Sequence, residues 1–319
     1  MLALVAAVGG ASAAAHGIRV PPGYRVEVYA RGLDRPTAMA FSPAGVLHLT
    51  EEGGAVVRLR RGLRRPEVVL GGFRSPLGLA WLRKQLVVSA QGTLWRVSGG
   101  QRAPIVSKLP FGRHQQDNVV VYRGRLYFGS GSTCDLCAER SRLSAAVLSV
   151  GRRDGRDLRV VARGLRNPFG LAVDRKTGRL YASVNERDEL GENEPAETVV
   201  EIAPRRHFGW PRCWPSYRRK RLVGRCAGVT KPVAYLEPHS APAGMAFWRG
   251  ALYVAEWGEY LKRTHGRKLV RVVLREGRPA AVSTFATGFE HPIAVALDPA
   301  GGLLVADYGR GVVYRISKR

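Results

Sequence analysis

The 319-residue chain lacks long helical patterns and long apolar runs. No extended amphipathic pattern with a period of 3.6 residues is present, which argues against a helical bundle. After residue 15, no apolar stretch approaches the roughly 20 residues that a membrane-spanning helix needs. Instead, 38 glycines and 19 prolines punctuate short alternating runs such as residues 24–29, which are typical of half-buried strands. The composition therefore favours an all-β protein.

Acidic residues are also scarce, because 25 Asp and Glu face 51 Lys and Arg, for a net charge of +26. Such a balance raises the question of a nucleic-acid or anionic partner. The basic residues are spread along the chain, and the runs at 58–61 and 218–221 are typical of solvated loops and outer strands. We therefore predict no specific nucleic-acid partner, and a loose contact with an anionic cell envelope stays open.

The first 15 residues are small and apolar and end in an Ala-Ser-Ala-like segment. They resemble the apolar region and cleavage site of a signal peptide, although the charged start of such a peptide is missing. A disordered or buried N-terminus is the alternative. We expect residues 1–15 to be a signal peptide, residues 16–319 to form one domain, and the protein to be secreted, periplasmic or held in the cell envelope.

Only four cysteines are present, and they allow three pairings. Cys134 and Cys137 form a C-x-x-C, whereas Cys213 and Cys226 bracket a short basic loop. A zinc site more often has two such close pairs, and a redox C-x-x-C usually opens a helix, whereas this one follows a strand-like run. The sequential pairing closes two small loops, so we predict two structural disulfides, which agree with export.

One strand-turn-strand pattern recurs six times, with copies starting near residues 35, 75, 114, 167, 241 and 291. Most copies open with proline, then apolar and small residues, a turn and a second apolar run. Such a unit cannot cover both its apolar faces alone, but six units in a ring can. We predict a six-bladed β-propeller whose ring is closed by the N-terminal strand, within residues 24–33, pairing with the last blade. A pair of β-sandwiches, the main rival, would not explain the six recurrences.

The third copy departs from its sisters, because polar residues including His114 replace the opening proline. Loops at the mouth of a propeller channel are the expected place for function. A histidine there can act as a general base near neutral pH, and Asp117 could orient it. A solvated loop histidine is an equally good interpretation.

Three other stretches place polar groups at blade starts or in loops. Arg166 and Asn167 precede the fourth blade and offer donors to a carboxylate or quinone oxygen, or else form an interblade salt bridge and a turn. The acidic loop at residues 185–194 offers oxygen ligands that Ca²⁺ accepts, without EF-hand spacing. Residues 239–244 form another polar entry into a blade.

Three motifs occur in a fixed order along the chain: Gly-Leu-Arg-Asn-Pro at 164–168, Asn-Glu-Arg-Asp-Glu-Leu-Gly at 185–191 and Phe-Gly-Trp-Pro at 208–211. With the C-x-x-C and the His-Ser-Ala-Pro at 239–242, they make the sequence resemble the glucose/sorbosone dehydrogenase family over roughly residues 20–319. The likeness is greatest to bacterial sorbosone-dehydrogenase-like proteins. These are propeller enzymes that depend on pyrroloquinoline quinone (PQQ).

The resemblance implies roles for individual residues. His114 would take the substrate proton, Arg166 would stabilise charge on the quinone oxygen, and Asn167 would contact the cofactor beside Arg166. A calcium ion would be bound partly through main-chain oxygens of the loop Glu186, Arg187 and Asp188. The three carboxylates of PQQ also call for basic residues, for which the candidates are Lys262, Arg263, Arg267 and Lys268.

The expected function is therefore a PQQ- and calcium-dependent dehydrogenase that oxidises a sugar or related alcohol or aldehyde and passes electrons to an external acceptor. The loop at residues 256–263 departs from the family pattern His-Gly-Ser-Trp-Asn-Arg, which leaves open a non-catalytic propeller that binds a ligand, glycan or partner. A third possibility is a lactonase-type hydrolase with a central metal, for which Glu51, Asn185 and Asp307 are the candidate ligands by position.

Overall fold

The computed structural model describes residues 17–59, 66–151, 155–260 and 262–319. Within these ranges β-strands are the only regular elements, as the composition predicts. No helix in this part of the chain is long and apolar enough to span a membrane. The expected signal peptide, residues 1–15, lies outside the described residues.

Apart from one separate hairpin, the strands form six sheets of four or five strands, arranged as the blades of a propeller. The pairing is antiparallel except for the short fifth strand of one sheet, which pairs parallel. A first strand, β1 (Tyr24–Ala30), precedes the first blade. Blade 1 contains β2 (Pro36–Phe41), β3 (Leu47–Glu51), β4 (Val56–Leu59) and β5 (Glu67–Leu70). Blade 2 contains β6 (Gly78–Leu82), β7 (Gln85–Ala90), β8 (Thr93–Ser98) and β9 (Gln101–Val106). Blade 3 contains β10 (Gln116–Tyr122), β11 (Arg125–Ser130), β12 (Ala146–Val150) and β13 (Arg159–Arg163).

The second half of the chain repeats the unit with one insertion. Blade 4 begins with β14 (Asn167–Asp174), β15 (Arg179–Asn185) and β16 (Glu197–Ile202). The chain then adds β17 (Arg206–His207) to blade 3, forms a hairpin of β18 (Cys213–Ser216) and β19 (Arg221–Gly224), and completes blade 4 with β20 (Ala234–Leu236). Blade 5 contains β21 (Pro242–Trp248), β22 (Ala251–Glu256), β23 (Lys268–Arg275) and β24 (Arg278–Thr287). Blade 6 contains β25 (Pro292–Leu297), β26 (Leu303–Asp307) and β27 (Val312–Lys318).

The ring is closed as predicted. Strand β1 pairs antiparallel with β27, with Tyr24 opposite Lys318 and Val28 opposite Tyr314, so that β1 completes blade 6. The innermost strands β2, β6, β10, β14, β21 and β25 contact one another in that order, and β25 contacts β2. Closure also gives the last blade a fourth strand and covers an edge that would otherwise remain unpaired.

The glycine that recurs near the start of the inner strands is required by close approach of neighbouring blades. A Cβ on Gly170 would lie 2.1 Å from the carbonyl oxygen of Ala243, and one on Gly78 would lie 2.5 Å from that of Asp117. A Cβ on Gly244 would meet the carbonyl oxygen of Ile293 at 2.7 Å. Inner strands therefore crowd around the axis and need small residues there.

The blades are held together by apolar layers between neighbouring sheets. Between blades 2 and 3, for example, Leu94, Leu126, Phe128 and Leu148 are fully buried in one cluster. Burial of each such side chain contributes roughly 1.5–3 kcal/mol. The loops at either end of the channel are thereby fixed on a rigid frame.

Both predicted disulfides are present. Cys134 is bonded to Cys137, and Cys213 is bonded to Cys226. The Cys213–Cys226 bond joins the start of β18 to the chain just after β19 and ties down the inserted hairpin. Cys134, Cys137 and Glu139 lie close enough to suggest a metal site, but the disulfide occupies both sulfur atoms.

Candidate functional site

A cleft of about 550 Å³ opens at the end of the channel where the inner strands begin and the second strands of the blades end. Its lining combines residues from blade starts in blades 3, 4 and 5 with residues from the loops after β15 and β22. The lining residues are His114, Arg166, Asn185, Glu186, Asp188, Gly191, Glu192, Glu197, His239, Ala241, Gly258, Glu259, Tyr260 and Lys262. Four polar stretches that stood out in the sequence therefore meet at one place.

His114 is held by the segment that follows β11. Its N–H donates to the carbonyl oxygen of Ser132 at 2.9 Å, and the N–H of Ser132 donates to the carbonyl oxygen of Arg166 at 2.7 Å. Residue 131 must be glycine, because a Cβ there would lie 2.4 Å from the Cβ of His114 and 2.7 Å from Oδ1 of Asn167. This segment thus joins the starts of blades 3 and 4.

The imidazole of His114 is neutral at physiological pH. Burial lowers its pKa to about 3, and the positive charges of Arg166 and Arg113 add to this effect. Its Nε2 is buried and has no hydrogen-bond partner. Asp117, the carboxylate expected to orient His114, makes no hydrogen bond to it; it is buried further along the inner strand, where its Oδ2 is also unpartnered.

Arg166 is almost completely buried and is the most extensively bonded side chain of the cleft. Its Nη1 donates to the carbonyl oxygen of Glu186 at 2.6 Å, and its Nη2 donates to Oδ1 of Asp135 at 2.7 Å and Oδ2 of Asp188 at 3.2 Å. The guanidinium group also lies 5.7 Å from the ring centre of Trp210. These partners fix both its position and its orientation.

The motif containing Arg166 packs directly against the Phe-Gly-Trp-Pro motif. The N–H of Trp210 donates to the carbonyl oxygen of Gly164 at 3.0 Å. Gly164 has a φ of +75°, and a Cβ there would lie 2.9 Å from the backbone nitrogen of Gly209. Each motif therefore holds the backbone of the other in place, which gives a structural reason why both are present in this chain.

Two asparagines face each other where β14 begins and β15 ends, since Asn167 is paired in register with Asn185. The Oδ1 atom of each is buried without a hydrogen-bond partner. Buried hydrogen-bond acceptors in folded proteins nearly always have a partner. Two unpaired oxygen atoms at one site are therefore expected to bind a hydrogen-bond donor or a cation.

Two carboxyl groups adjoin these asparagines. Glu197, at the start of β16, is buried, and its Oε2 accepts a hydrogen bond from the N–H of Glu186 at 2.6 Å. Burial raises the pKa of Glu186 to about 8 and raises that of Glu197 well above its usual value. The nearby arginines do not offset the effect of burial on these two carboxyl groups. A divalent cation bound beside them would lower both pKa values.

On the opposite side of the cleft, His239 and Lys262 contact the acidic loop. His239 Nε2 lies 2.9 Å from the carbonyl oxygen of Gly191, and its Nδ1 lies 3.7 Å from Oδ1 of Asp188. Lys262 Nζ donates to Oε1 of Glu192 at 3.2 Å. These contacts join blade 5 to the loop after β15.

The sequence profile described as glucose / sorbosone dehydrogenase matches residues 148–315, more than half of the chain. This chain belongs to the glucose/sorbosone dehydrogenase family. The resemblance seen in the motifs is therefore confirmed.

Solved structures share the fold. The holo form of the pyranose dehydrogenase PQQ domain from Coprinopsis cinerea is 20% identical, with a TM-score of 0.81 and coverage of 95% of this chain and 97% of that one. The PQQ-bound aldose sugar dehydrogenase from Streptomyces coelicolor is 21% identical, with a TM-score of 0.74 and coverage of 94% and 100%. The calcium structure of a family AA12 carbohydrate-active enzyme from Trichoderma reesei is 14% identical, with a TM-score of 0.82 and coverage of 95% and 97%.

Several residues that the family resemblance pointed to lie away from the cleft. Lys268 lines a separate groove of about 410 Å³, where its Nζ is paired with Glu237 and lies 3.6 Å from Oε2 of Glu256. Arg263 is exposed and does not line the cleft. The side chain of Arg187 points to the inserted hairpin, with its guanidinium 5.1 Å from the ring centre of Trp214.

Arg267 also serves a structural purpose. Its Nη1 donates to the carbonyl oxygen of Glu290 at 2.8 Å, and its Nη2 donates to that of Glu259 at 3.1 Å. It therefore ties the loop after β22 to the start of blade 6, and of the four basic candidates only Lys262 lines the cleft.

Two of the three residues considered for a lactonase-type metal site, Glu51 and Asp307, are used structurally, whereas Oδ1 of the third, Asn185, has no hydrogen-bond partner among the described residues. Glu51 Oε1 accepts a hydrogen bond from the N–H of Asp34 at 2.9 Å. Asp307 accepts hydrogen bonds from the N–H groups of Glu290 and His291 at 2.8 and 2.9 Å. Each carboxylate thus anchors the turn that opens its own blade. Among the described residues, no group of His, Cys, Asp or Glu ligand atoms in the channel lies close enough to hold a metal by itself.

Asp135, Glu197, Glu259 and Tyr260 belong to the site or its immediate support but were not found by sequence reasoning. Asp135 lies between the two cysteines of the C-x-x-C, and Glu197 opens a strand that is mostly buried. A carboxylate at the start of a buried strand is unusual, and this signal could have indicated Glu197. Asp135 is brought to Arg166 only by the fold.

Proposed function

We propose that this chain is a dehydrogenase that binds PQQ and calcium in the cleft and oxidises a sugar or a related alcohol or aldehyde. The observation that carries the proposal is the convergence of His114 and Arg166 on one cleft at the channel mouth, with the buried Oδ1 of Asn167 beside His114. The family and the names of its structural neighbours, a pyranose dehydrogenase and an aldose sugar dehydrogenase, support the substrate class.

The unpartnered polar atoms provide a test of whether these residues suit the two cofactors. Calcium prefers oxygen ligands, and the unpaired Oδ1 atoms of Asn167 and Asn185 lie at the same site as the half-buried Glu186 and the buried Glu197. Fixed side-chain oxygens thus add to the main-chain oxygens that the family resemblance implies. The carbonyl oxygen of Glu186, one of those main-chain oxygens, already accepts a hydrogen bond from Arg166.

For PQQ, the suitable groups are the guanidinium of Arg166 and the ammonium of Lys262, which both line the cleft. Bound PQQ would supply a quinone that accepts hydride. A neutral His114 with an unoccupied Nε2 is in the state needed to accept the substrate hydroxyl proton. Arg166, held by hydrogen bonds to oxygen atoms of Asp135, Glu186 and Asp188, is positioned to stabilise negative charge.

We also propose that the protein works outside the cytoplasm and transfers electrons to an external acceptor. Two disulfides in a chain with no unpaired cysteine support export, because cytosolic thiols are kept reduced. Mass spectrometry of the protein recovered from the native cell fraction tests this, since export predicts a chain that lacks residues 1–15 and has no free thiol.

Reconstitution tests the function. Purified protein is mixed with PQQ and CaCl₂, binding is followed by the absorbance and fluorescence of PQQ, and dye reduction is measured over a panel of aldoses. We expect saturable, chelator-sensitive PQQ binding and aldose-dependent dye reduction. His114→Asn should lower dye reduction by about 10²–10⁴-fold and leave PQQ binding largely intact. Arg263→Gln, an exposed change outside the cleft, is the matched control. Absence of both PQQ binding and dye reduction would reject the proposal.

One observation favours the non-catalytic alternative. The guanidinium of Arg166 already donates hydrogen bonds to the carboxylates of Asp135 and Asp188, so an incoming anion must compete with them. Specific binding of PQQ or a sugar without dye reduction, and without any difference between the wild-type protein and His114→Asn, would identify a binding protein.

A further inference from the structure

The end of the channel opposite the His114 cleft opens into a second, larger cavity of about 1480 Å³. It lies where the inner strands end and the turns to the second strands begin, as at Tyr122, Asp174 and Trp248. We call it the basal cup. None of its lining residues lines the His114 cleft.

The floor of the basal cup is apolar and is built by the repeat. Each inner strand contributes one residue at the same position of the unit: Met39, Leu79, Val119, Leu171, Met245 and Val295. Five of these six side chains are buried, and each of the six packs into a different apolar layer between neighbouring blades. The next inward-facing position adds Phe41, Val121, Phe247 and Leu297, of which Val121 is 36% exposed and Leu297 42% exposed.

The rim of the basal cup is strongly basic. Nine cationic and three acidic side chains line the cavity. The exposed cations without a carboxylate partner among the described residues include Arg123, Arg175, Lys176, Arg249, Arg275 and Arg278. They come from turns of blades 3, 4 and 5.

Two of the three acids are already engaged. Glu201 lies 3.6 Å from Nη1 of Arg179 and 3.3 Å from Nη2 of Arg206. Asp174 accepts hydrogen bonds from the N–H of Lys176 and the hydroxyl of Thr177 within its own turn. The cationic rim is therefore not neutralised internally.

We propose that the basal cup binds a small soluble amphipathic anion, that is, an apolar ring system or short acyl chain carrying a sulfonate, carboxylate or phosphate. Exposed apolar side chains at the bottom of a concave site favour an apolar ligand body. Unpaired cations around the rim favour an anionic group on the same ligand. A flat bilayer surface could reach the rim but not the floor, so a small ligand accounts for both features.

Two related dyes test the proposal. The first is 8-anilinonaphthalene-1-sulfonate (ANS), and the second is N-phenyl-1-naphthylamine (NPN), which has the same ring system without the sulfonate. Fluorescence titration of the folded, full-length protein should give one saturable ANS site, with weaker binding of NPN. Raising NaCl from 0.05 to 0.5 M should weaken ANS binding severalfold and leave NPN binding unchanged.

A matched pair of variants locates the site. Arg175 and Lys176 lie in the β14–β15 turn on the rim, whereas Arg83 and Lys84 lie in the equivalent β6–β7 turn outside the cavity. We expect R175Q/K176Q to weaken ANS binding by about tenfold and to change NPN binding by less than twofold. We expect R83Q/K84Q to change neither. Leu297→Asn, at an exposed floor position, should weaken the binding of both dyes.

Three outcomes would overturn the proposal. The first is equal affinity for ANS and NPN with no effect of R175Q/K176Q. The second is loss of ANS binding in Lys262→Gln, which would place the dye in the His114 cleft. The third is capture of the protein by anionic vesicles with loss of that capture in R175Q/K176Q and no ANS site, which would identify a membrane-docking surface. Equal melting temperatures of all variants show that each comparison is made on folded protein.

Discussion

The neutral state of His114 has a measurable consequence for stability. The pKa of this histidine falls from an ordinary value of 6.5 to about 3 in the folded chain, mainly because of burial. The unfolded chain therefore binds a proton at this histidine near pH 6.5, whereas the folded chain binds it only near pH 3. Because the unfolded chain binds this proton first, the free energy of unfolding falls as the pH falls from 6.5 towards 3. At pH 4 the loss due to this one group is about 3 kcal/mol.

Urea unfolding at pH 7 and at pH 4 measures this loss, with His114→Asn as the comparison. All other titrating groups are common to both proteins, so their contributions cancel in the difference. The free energy of unfolding of the wild-type protein should fall by about 3 kcal/mol more than that of the variant. Parallel pH dependence of the two proteins, or an NMR titration of the His114 ring with a midpoint near 6.5, would refute the reasoning. In the presence of a bound anionic ligand, the midpoint should move upward from about 3.

Three further changes have predictable effects. Burial raises the pKa of Glu256 to about 8, so the unfolding free energy of the wild-type chain should fall by about 3 kcal/mol between pH 5 and pH 8. Urea unfolding of Glu256→Gln should show that most of this pH dependence is lost. Gly131→Ala places a Cβ 2.4 Å from that of His114, and it should cost about 1–3 kcal/mol and weaken PQQ binding. Gly71→Ala, in open space and likewise outside the positive-φ region, should not affect PQQ binding. Replacing Cys213 and Cys226 by serine opens a loop with a sequence separation of 13. The unfolding free energy should fall by about 3 kcal/mol. An unchanged unfolding free energy would show that the hairpin is held by packing alone.

The architecture could be predicted from the sequence because it rests on a local pattern repeated six times. Glycine recurs at the same position in three of the six inner strands, at Gly78, Gly170 and Gly244, where neighbouring strands approach closely. His114 and Arg166 were found because they interrupt or precede that pattern. Local exceptions in a repeat are visible without knowledge of the fold.

The remaining parts of the site depend on contacts between distant segments. Asp135 reaches Arg166 across 31 positions, and Glu197 meets Glu186 only because β15 and β16 pair. Lys268 was misplaced for the same reason. Strand pairing sets Lys268 opposite Glu256 and directs its ammonium into a neighbouring groove. Charge and proximity in sequence could not distinguish it from Lys262.

The pairing of β1 with β27 also has a consequence for biosynthesis. Tyr24 is opposite Lys318, so one blade is assembled from two segments that the other five blades separate in the sequence. Contacts of such long range form slowly, because a large loop must close before they stabilise the chain. Blades 1 to 5 can pair their own strands as they emerge, whereas blade 6 remains incomplete until β27 has been synthesised. A chain interrupted before β27 would therefore present two unpaired strand edges, those of β1 and β26, to other molecules.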